Sequence, residues 1–238
     1  MKYKRILIKL SGEALSGNGE SGILSSKALL STLSVIKDIH DLGVEVTIVT
    51  GAGNICRGAI IEKSGIDRVT GDKMGMLGTA INAFAVSSSL KSLGVDSEVL
   101  SAIDLGDFAP KFDKDLADRL LKEGKIIVFA AGTGKPFFTT DTCATLRAIE
   151  TGCDAIFMAK NGVEGVFDSD PRINKDAKMF KEITCSEMIK RNLKVMDLTA
   201  VEMLKDKDID VRVFSMSNPE NFVKILNGED IGTTIKKG

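Results

Sequence analysis

The sequence predicts an α/β protein with a mostly parallel central sheet covered by helices on both faces, which makes a three-layer α/β/α sandwich. Six apolar runs rich in β-branched residues are predicted strands: 5–10, 44–50, 97–102, 125–131, 154–159 and 211–215. Most of these runs are separated by stretches with the apolar spacing of a helix. Strands that are apolar throughout are typical of a parallel sheet buried on both faces, and we expect right-handed crossovers between them.

Two helices are predicted with particular clarity. Leu29, Leu33 and Ile36 recur at helical spacing, and Gly43 follows in the place of a C-cap glycine. A longer helix is predicted over 67–93, with an apolar stripe formed by Met74, Leu77, Ile81, Phe84 and Ala85. Residues 160–182 are instead rich in Gly, Asp, Asn and Lys. Long irregular stretches of this kind in compact domains are usually either functional or disordered.

Composition limits the number of domains and the classes of partner and site to be expected. The 238 residues are 43% hydrophobic, enough for one substantial core, and we expect a single domain. Lys plus Arg total 32 against 33 Asp plus Glu, without a long block of one sign, so a nucleic-acid partner is not expected and any phosphate site must be local. The single histidine argues against histidine triads and multi-histidine metal sites.

The expected location is the cytoplasm. The four cysteines form no CxxC pair, so neither disulfides nor structural zinc is expected, which fits a reducing compartment. The short apolar run at the N-terminus ends at Ser11-Gly12 and is interpreted as a strand rather than a signal peptide. No window approaches the roughly 20 apolar residues of a membrane helix, and we expect no membrane association.

Three glycine-rich loops follow predicted strands, where ligands bind in an open parallel sheet. The first contains Lys9, Ser11, Gly12 and Glu13. A lysine at a strand end followed by Ser-Gly could aim an ammonium and backbone N–H groups at phosphates. A surface lysine before an ordinary turn is the alternative.

The second loop spans residues 50–58. Its small residues would let the backbone approach an anion, the helix that follows would supply N–H donors, and Arg57 adds a bidentate cation. The third glycine is displaced to Gly58, so the loop is not a GxGxxG fingerprint, and no Gly-Lys-Ser/Thr makes it a Walker A loop. A packing turn is the alternative.

The third loop spans residues 131–142. It combines a Gly-Thr-Gly turn, two adjacent aromatics (Phe137 and Phe138) that could line a base or sugar, and hydroxyl and carboxylate groups at the start of a helix. Thr139 or Asp141 could also simply cap that helix, with or without a function in the site.

Six segments, in order, closely resemble bacterial UMP kinases of the amino acid kinase superfamily: KLSGEAL, GxGNIxRG, DKMGMLGTAIN, GTGKPFFTTDT, GVEGVFDSDP and MDLTA. The resemblance runs from Lys9 to about Thr234 and therefore covers almost the whole chain. The MGML and GTGxPFFTTD segments are specific to UMP kinases, whereas the first two loops are shared across the superfamily.

The resemblance implies two nucleotide sites. The ATP site comprises Lys9, Ser11, Gly12, Glu13, Gly53, Arg57, Asn161, Phe167 and Asp170. The UMP site comprises Ala52, Asp72, Thr133, Gly134, Lys135, Pro136, Phe137, Phe138, Thr139 and Thr140. Within these sets Lys9 reaches the transferred phosphoryl, Arg57 lies at phosphate and Asp72 holds the UMP ribose.

The resemblance also implies the activity and the assembly. The γ-phosphoryl of ATP moves to UMP, giving UDP and ADP, with Mg²⁺ bridging the ATP phosphates. The single amino acid kinase-like domain has a UMP-binding lobe at about 1–140 and an ATP-binding lobe at about 141–238. A homohexamer built from dimers, activation by GTP and inhibition by UTP are implied in the same way.

A general base is not required, since the second pKa of the acceptor phosphate is about 6 and the phosphate is already ionised at neutral pH. Asp141 is a third candidate catalytic residue beside Lys9 and Arg57, because its carboxylate could orient Lys9 or a metal-bound water.

Some positions depart from the commoner family pattern. Ala52 replaces the middle glycine of GGGN, Lys135 replaces an asparagine, and Gly71 stands where alanine is frequent. The stretch 159–162 is one residue longer than the usual Ala-Thr-Lys, so an adenine contact falls on Asn161 or Lys160, and we assign it to Asn161. None of these changes removes a charge that phosphoryl transfer needs.

Three other functions fit the sequence less well. A superfamily kinase acting on a carboxylate, carbamate or isoprenoid phosphate is disfavoured by Asp72 and the Phe137-Phe138 pair, because a small aliphatic acceptor needs no ribose-binding acid. A non-catalytic binding protein on the same scaffold is disfavoured by the retention of Lys9, Arg57 and Asp170. A dinucleotide oxidoreductase fails on the spacing of its fingerprint.

Overall fold

The computed structural model describes residues 1–16, 22–56, 63–160, 162–216, 218 and 220–238. The described strands are β1 (Arg5–Leu10), β2 (Glu45–Thr50), β3 (Ser97–Ser101), β4 (Ile126–Ala130), β5 (Ala155–Lys160), β6 (Glu182–Thr184), β7 (Asp210–Ser215) and β8 (Thr233–Lys236). The described helices are α1 (Gly12–Ser16), α2 (Ser26–Asp41), α3 (Arg68–Ser92), α4 (Lys114–Lys122), α5 (Thr140–Glu150), α6 (Cys185–Lys190), α7 (Leu198–Leu204) and α8 (Asn221–Leu226), with a 3₁₀ turn at Gly106–Phe108.

The strands form one eight-stranded sheet in the order β3-β4-β2-β1-β5-β7-β8-β6. β7 and β8 run antiparallel, and the other described neighbour pairs are parallel. Two hydrophobic cores lie on opposite faces because successive side chains of a strand alternate: Ile6 and Ile8 enter one core and Leu7 the other. The predicted three-layer architecture with a mostly parallel sheet is confirmed.

Several helices begin where a side chain satisfies a free backbone N–H. Ser25 accepts from Ala28 N before α2 at 3.3 Å, and Asp67 accepts from Thr70 N before α3 at 3.1 Å. Gly43 follows α2 with φ of 84°, a left-handed conformation that glycine adopts readily, as the sequence predicted.

The long helix is confirmed as α3, but three residues of its predicted apolar stripe face away from the sheet, whereas Phe84 packs against the core. Met74, Leu77 and Ile81 are exposed, whereas the smaller side chains Ala80 and Ala83 are buried against the core. Small residues let the helix lie close to the sheet, so the larger apolar side chains are left on the outer surface.

Two strands were missed by the sequence prediction. β6 and β8 are three and four residues long, with sequences EIT and TTIK, and each contributes little apolar length. They pair with each other, and β8 joins the sheet through β7. Their strand structure is therefore decided by partners distant in sequence rather than by a local pattern.

The four cysteines, all within the described residues, carry free thiols. Burial raises the pKa of Cys143 to about 12 and the pKa values of Cys153 and Cys185 to about 11, which keeps these thiols protonated. In the described part of the chain, every helix is too short or too polar to cross a membrane.

Candidate active site

The candidate site lies at the carboxyl ends of four neighbouring strands, β4, β2, β1 and β5. The first three carry the glycine-rich loops, so the sheet brings together segments that are far apart in sequence. Lys9 is the penultimate residue of β1, and Lys160 is the last residue of β5. This is the edge at which open α/β sheets bind ligands.

The first and second loops are packed directly on each other. A Cβ added to Gly12 would lie 2.4 Å from Asn54 Oδ1 and 2.6 Å from Gly53 N, and one added to Gly53 would lie 2.3 Å from Glu13 Oε1. Neither glycine has a positive φ, so it is the close approach of the two loops that requires them. The structure thus brings together three residues predicted for ATP: Gly12, Glu13 and Gly53.

A pair of asparagine amides holds the second loop to α3. Asn82 is fully buried in the helix and donates to Gly51 O at 2.7 Å and to Asn54 Oδ1 at 2.8 Å. Asn54 in turn donates to Asn82 Oδ1 at 3.1 Å and to Ile23 O at 2.7 Å. Both asparagines belong to motifs noted in the sequence, but no role was predicted for either. The available signal for Asn82 was a polar residue on the buried face of a helix.

Lys9 and Asp141 form an ion pair between the first and third loops. Lys9 Nζ lies 3.1 Å from Asp141 Oδ1, and their side chains are 15% and 16% exposed. The contact lies outside hydrogen-bond geometry, so this buried carboxylate oxygen has no hydrogen-bond partner among the described residues. Low exposure strengthens the pair relative to one at the surface.

Asp197, which sequence reasoning missed, holds the start of α5. Thr139 Oγ1 donates to Asp197 Oδ2, and Thr142 Oγ1 lies 3.0 Å from both carboxylate oxygens. Asp197 also caps α7 by accepting from Ala200 N at 2.9 Å. Thr139 itself caps α5, as the sequence suggested, by accepting from Asp141 N at 3.1 Å. The MDLTA segment is therefore attached to the helix that carries Asp141.

A first cavity of about 420 Å³ opens between the second loop, the third loop and α3, and its size suits a small nucleotide. The predicted UMP residues that line it are Ala52, Asp72, Thr133, Lys135, Phe138, Thr139 and Thr140, together with Gly53 from the predicted ATP set. Gly134, Pro136 and Phe137 belong to the same loop but do not line the cavity.

The third loop has an unusual backbone. Ala131 and Phe137 have φ of 62° and 72°, and Gly132 and Gly134 also have positive φ. Non-glycine residues in this region store strain, which clusters at functional sites. Phe137 and Phe138 are 64% and 50% exposed, so they do not fill the protein core.

Asp72 connects α3 to the third loop. It accepts from Phe137 N at 2.8 Å and from Arg68 Nε at 2.9 and 3.0 Å. Arg68 lines the first cavity, and its guanidinium carbon lies 5.9 Å from the centre of the Phe137 ring. Sequence reasoning did not select this arginine, although its spacing of four residues from Asp72 on one helix face was the available signal.

A second cavity of about 570 Å³ lies on the other side of the start of α5. It is lined by Asp141 and Lys160 together with residues of α6, α7 and the connection between them, including Met188, Val195, Met196 and Asp197. Thr139 and Thr140 line the first cavity, and the next residue, Asp141, lines the second.

Six predicted ATP residues line neither cavity: Lys9, Ser11, Gly12, Glu13, Phe167 and Asp170. Phe167 forms an isolated bridge with Met179, and Asp170 is engaged by Arg172 at 2.9 and 3.0 Å. The Arg172 side chain holds the pKa of Asp170 below its usual range. Arg57 and Asn161 lie outside the described residues.

The chain is similar to known proteins over its full length. The amino acid kinase family model matches residues 4–215. A uridylate kinase of Streptococcus thermophilus is 48% identical over 234 residues, which are 98% of this chain and 95% of the relative.

Two solved structures have the same fold over nearly the whole chain. The UMP kinase from Bacillus anthracis has a TM-score of 0.95 at 41% identity, over 99% of this chain and 97% of the other. The UMP kinase from Ureaplasma parvum has a TM-score of 0.93 at 37% identity, with both chains fully covered. The chain therefore belongs to the amino acid kinase family and, within it, to the uridylate kinases.

Proposed function

We propose that this chain transfers the γ-phosphoryl of ATP to UMP, giving UDP and ADP. The observation that carries the proposal is the arrangement at the start of α5. Consecutive residues there line two cavities, each large enough for a nucleotide, and the Lys9–Asp141 ion pair lies at the same point. The names of the full-length relatives support UMP as the acceptor.

UMP occupies the first cavity in this proposal. A carboxylate offers about four lone-pair sites. The contacts from Arg68 Nε and Phe137 N use three of them, so one remains for a ribose hydroxyl, and a second hydroxyl would replace one of the two Arg68 contacts. Thr133, Thr139 and Thr140 line the same space. The Thr139 hydroxyl is already engaged by Asp197 and by the cap of α5. In this proposal the donors and acceptors for the base and phosphate therefore come from the third-loop backbone and from Thr140.

The chemical step requires little from the protein beyond positioning and charge. A phosphate oxygen of UMP forms a bond to the γ-phosphorus, and the bond from that phosphorus to the bridging oxygen of ADP breaks. No proton is removed, since the acceptor is ionised. Lys9 stabilises the negative charge on the transferring group, and Asp141 holds the lysine in place through the ion pair. The N–H groups at the start of α5 add to this positive field.

The residues present fit a magnesium ion that arrives with ATP. Asp141 Oδ1 is buried without a hydrogen bond in the described part of the chain, and carboxylate oxygens, phosphates and waters are the ligands that Mg²⁺ prefers. The described residues contain no group of three or more His, Cys, Asp or Glu side chains placed to hold a metal. When bound, the ion neutralises charge on the β- and γ-phosphates.

The remaining site assignments belong to the same proposal. Lys9, Ser11, Gly12, Glu13, Gly53, Arg57, Asn161, Phe167 and Asp170 serve ATP, and the UMP-binding lobe precedes about residue 140. Phe167 and Asp170 line neither cavity, so their assignment to ATP is supported by the resemblance alone.

A homohexamer, GTP activation, UTP inhibition and a cytoplasmic location are proposed from the resemblance. The exposed apolar stripe of α3, formed by Met74, Leu77 and Ile81, supports contact with another copy of the chain. The free, protonated thiols fit the reducing cytoplasm. Light scattering gives the mass of the assembly, and rates with added GTP or UTP give the regulation.

The function is tested by ADP release from MgATP with UMP, CMP, dUMP, AMP and GMP as separate acceptors. We expect turnover with UMP to exceed turnover with the purine nucleotides by far. ADP release that does not depend on any acceptor would contradict the proposal, and equal rates with all five would remove the role of the first cavity in selection.

A further inference from the structure

Lys160 is a partly buried lysine to which the mechanism above gives no role. It ends β5, the strand beside β1. Lys9 lies opposite Met158 in the register of these strands, so Lys160 stands two residues further toward the carboxyl edge on the same face as Met158. Leu7 and Met158 both enter the core beneath α5, which places the side chains of Lys9 and Lys160 on one face of the sheet.

The ammonium of Lys160 has one described hydrogen bond, which it donates to Val195 O. An ammonium carries three donors, so two remain for another partner. Lys160 lines the second cavity together with Asp141, the residue already paired with Lys9. The other carboxylate of that cavity, Asp197, is engaged by two hydroxyls and a helix cap.

The electrostatic surroundings agree with this geometry. Burial lowers the pKa of Lys160, the nearby Asp141 carboxylate opposes that shift, and the Lys9 ammonium adds to it. Lys160 is therefore close enough to both groups to interact with them. A desolvated ammonium that shares its counter-ion with a second lysine gains strongly from an added anion.

We infer that Lys160 is a second phosphate-binding cation of the transfer site, which contacts the β- and γ-phosphates of ATP from the second cavity. The inference rests on the proposed function and adds a residue to it. Lys160 stays an ammonium throughout: it stabilises the charge that collects on the bridging oxygen and on the transferring group as the bond from the γ-phosphorus to ADP breaks.

Two other roles for Lys160 are distinguishable. A contact with the adenine ring would turn the ammonium away from Asp141, with which Lys160 lines the second cavity. A purely structural role, tying β5 to the chain at Val195, would make the lysine matter for folding but not for phosphate.

The test compares Lys160→Met, Lys160→Arg and the wild type. Lys160→Met keeps the apolar stem and removes the charge, whereas Lys160→Arg keeps a cation. Lys207→Met, at an exposed position after α7, is the matched control and is expected to behave as wild type. Each variant is assayed for kcat, for KM with ATP and with UMP, and for Tm.

For Lys160→Met we expect kcat to fall by about 10²-fold, as after loss of one preorganised charge-stabilising donor, with the UMP KM changed by less than about threefold. We expect the kcat of Lys160→Arg to be about tenfold higher than that of Lys160→Met, because a cation is retained. The Tm of both variants should stay within about 3 °C of wild type. A kcat of Lys160→Met within about threefold of wild type would overturn the inference. So would parallel losses of Tm, kcat and both affinities, which indicate a structural role.

Calorimetric titration separates this inference from the proposed function, because it needs no acceptor. We expect Lys160→Met to bind MgATP about tenfold or more weakly than wild type while AMP, which lacks the β- and γ-phosphates, binds equally well to both. An equal loss for ATP and AMP would overturn the phosphate contact in favour of an adenine contact. A wild type that binds MgATP but does not phosphorylate UMP would contradict the proposed function alone.

Discussion

The two cavities on either side of the start of α5 are built in different ways. The first is framed by backbone turns with positive φ, the Asn54–Asn82 amide pair and hydrogen bonds that Asp72 accepts. The second is lined mainly by apolar side chains such as Met188, Leu193 and Met196, with charged groups where it meets β5 and α5.

The difference suggests two kinds of recognition. A surface of fixed donors and acceptors rejects ligands with the wrong hydrogen-bonding groups, because mismatched groups are left buried and unpaired. An apolar slot with charges at one end holds a flat ring loosely and a phosphate chain strongly. Substitutions around the first cavity should therefore change which acceptor binds and how tightly. Substitutions of the Lys9–Asp141 pair, the shared charges between the two cavities, should change the rate.

The sharpest test of this comparison is the choice between UMP and CMP. Cytosine exchanges an acceptor for a donor at the 4-position and a donor for an acceptor at the neighbouring ring nitrogen. We expect kcat/KM for UMP to exceed that for CMP by about 10⁴, measured under one set of conditions. Values within about tenfold of each other would mean that the segment 133–140 does not read the base edge and that the enzyme is a general pyrimidine kinase.

The next largest effect is expected at the shared charges. Lys9→Ala should lower kcat by roughly 10² or more, because the ammonium stabilises charge on the transferring group, while the affinity for UMP changes little. Lys4→Ala, at an exposed lysine just before β1, is the control. Near-normal turnover of a folded Lys9→Ala enzyme would rule out the role of Lys9 in the chemical step.

A smaller and more selective effect is expected at Asp72. Hydrogen bonds from ribose hydroxyls to a carboxylate are worth about 1.5 to 3 kcal/mol each, so Asp72→Asn should raise the UMP KM at least about tenfold. The ATP KM should stay close to wild type. Steady-state kinetics with each substrate varied gives both values, and Asp115→Asn on the surface of α4 serves as control. Equal increases in both KM values would instead identify Asp72 as a residue that supports the fold.

The smallest effect on turnover, and a clear effect on stability, is expected at Asn82. Asn82→Ala leaves Gly51 O and Asn54 Oδ1 without their buried donor, at a cost of about 2 kcal/mol in the free energy of unfolding. Urea unfolding measures this loss, and Ser88→Ala on the exposed side of α3 is the matched control. An unchanged unfolding free energy would show that the amide pair does not hold the second loop to the helix.

The parts of the fold that could be predicted from the sequence are those with a strong local pattern. The six apolar strands and α3 were recognised with boundaries within about two residues. β6 and β8 were not, because short threonine-rich segments become strands only through pairing with each other and with β7. The exposure of Met74, Leu77 and Ile81 on α3 could not be predicted either, since apolar spacing does not say which face of a helix meets the sheet.

The candidate site shows the same division. Three motif residues predicted for UMP, Ala52, Asp72 and Thr139, come from separate segments and line one space, while their binding of UMP stays a prediction. Around the second cavity only Asp141 was selected, because apolar linings such as that of α6 and α7 resemble ordinary core in sequence. Whether Phe167 and Asp170 serve ATP stays a prediction.

By itself the sequence determined the fold class, the three loops and the family, because glycine-rich turns after buried strands and long motifs are local features that survive without coordinates. Only the tertiary structure decided which charges meet. Lys9 and Asp141 are 132 positions apart in the chain, and they form an ion pair because β1 lies beneath the start of α5. Lys160 joins them because β5 is placed beside β1, a sheet order set by long-range packing that no local pattern encodes.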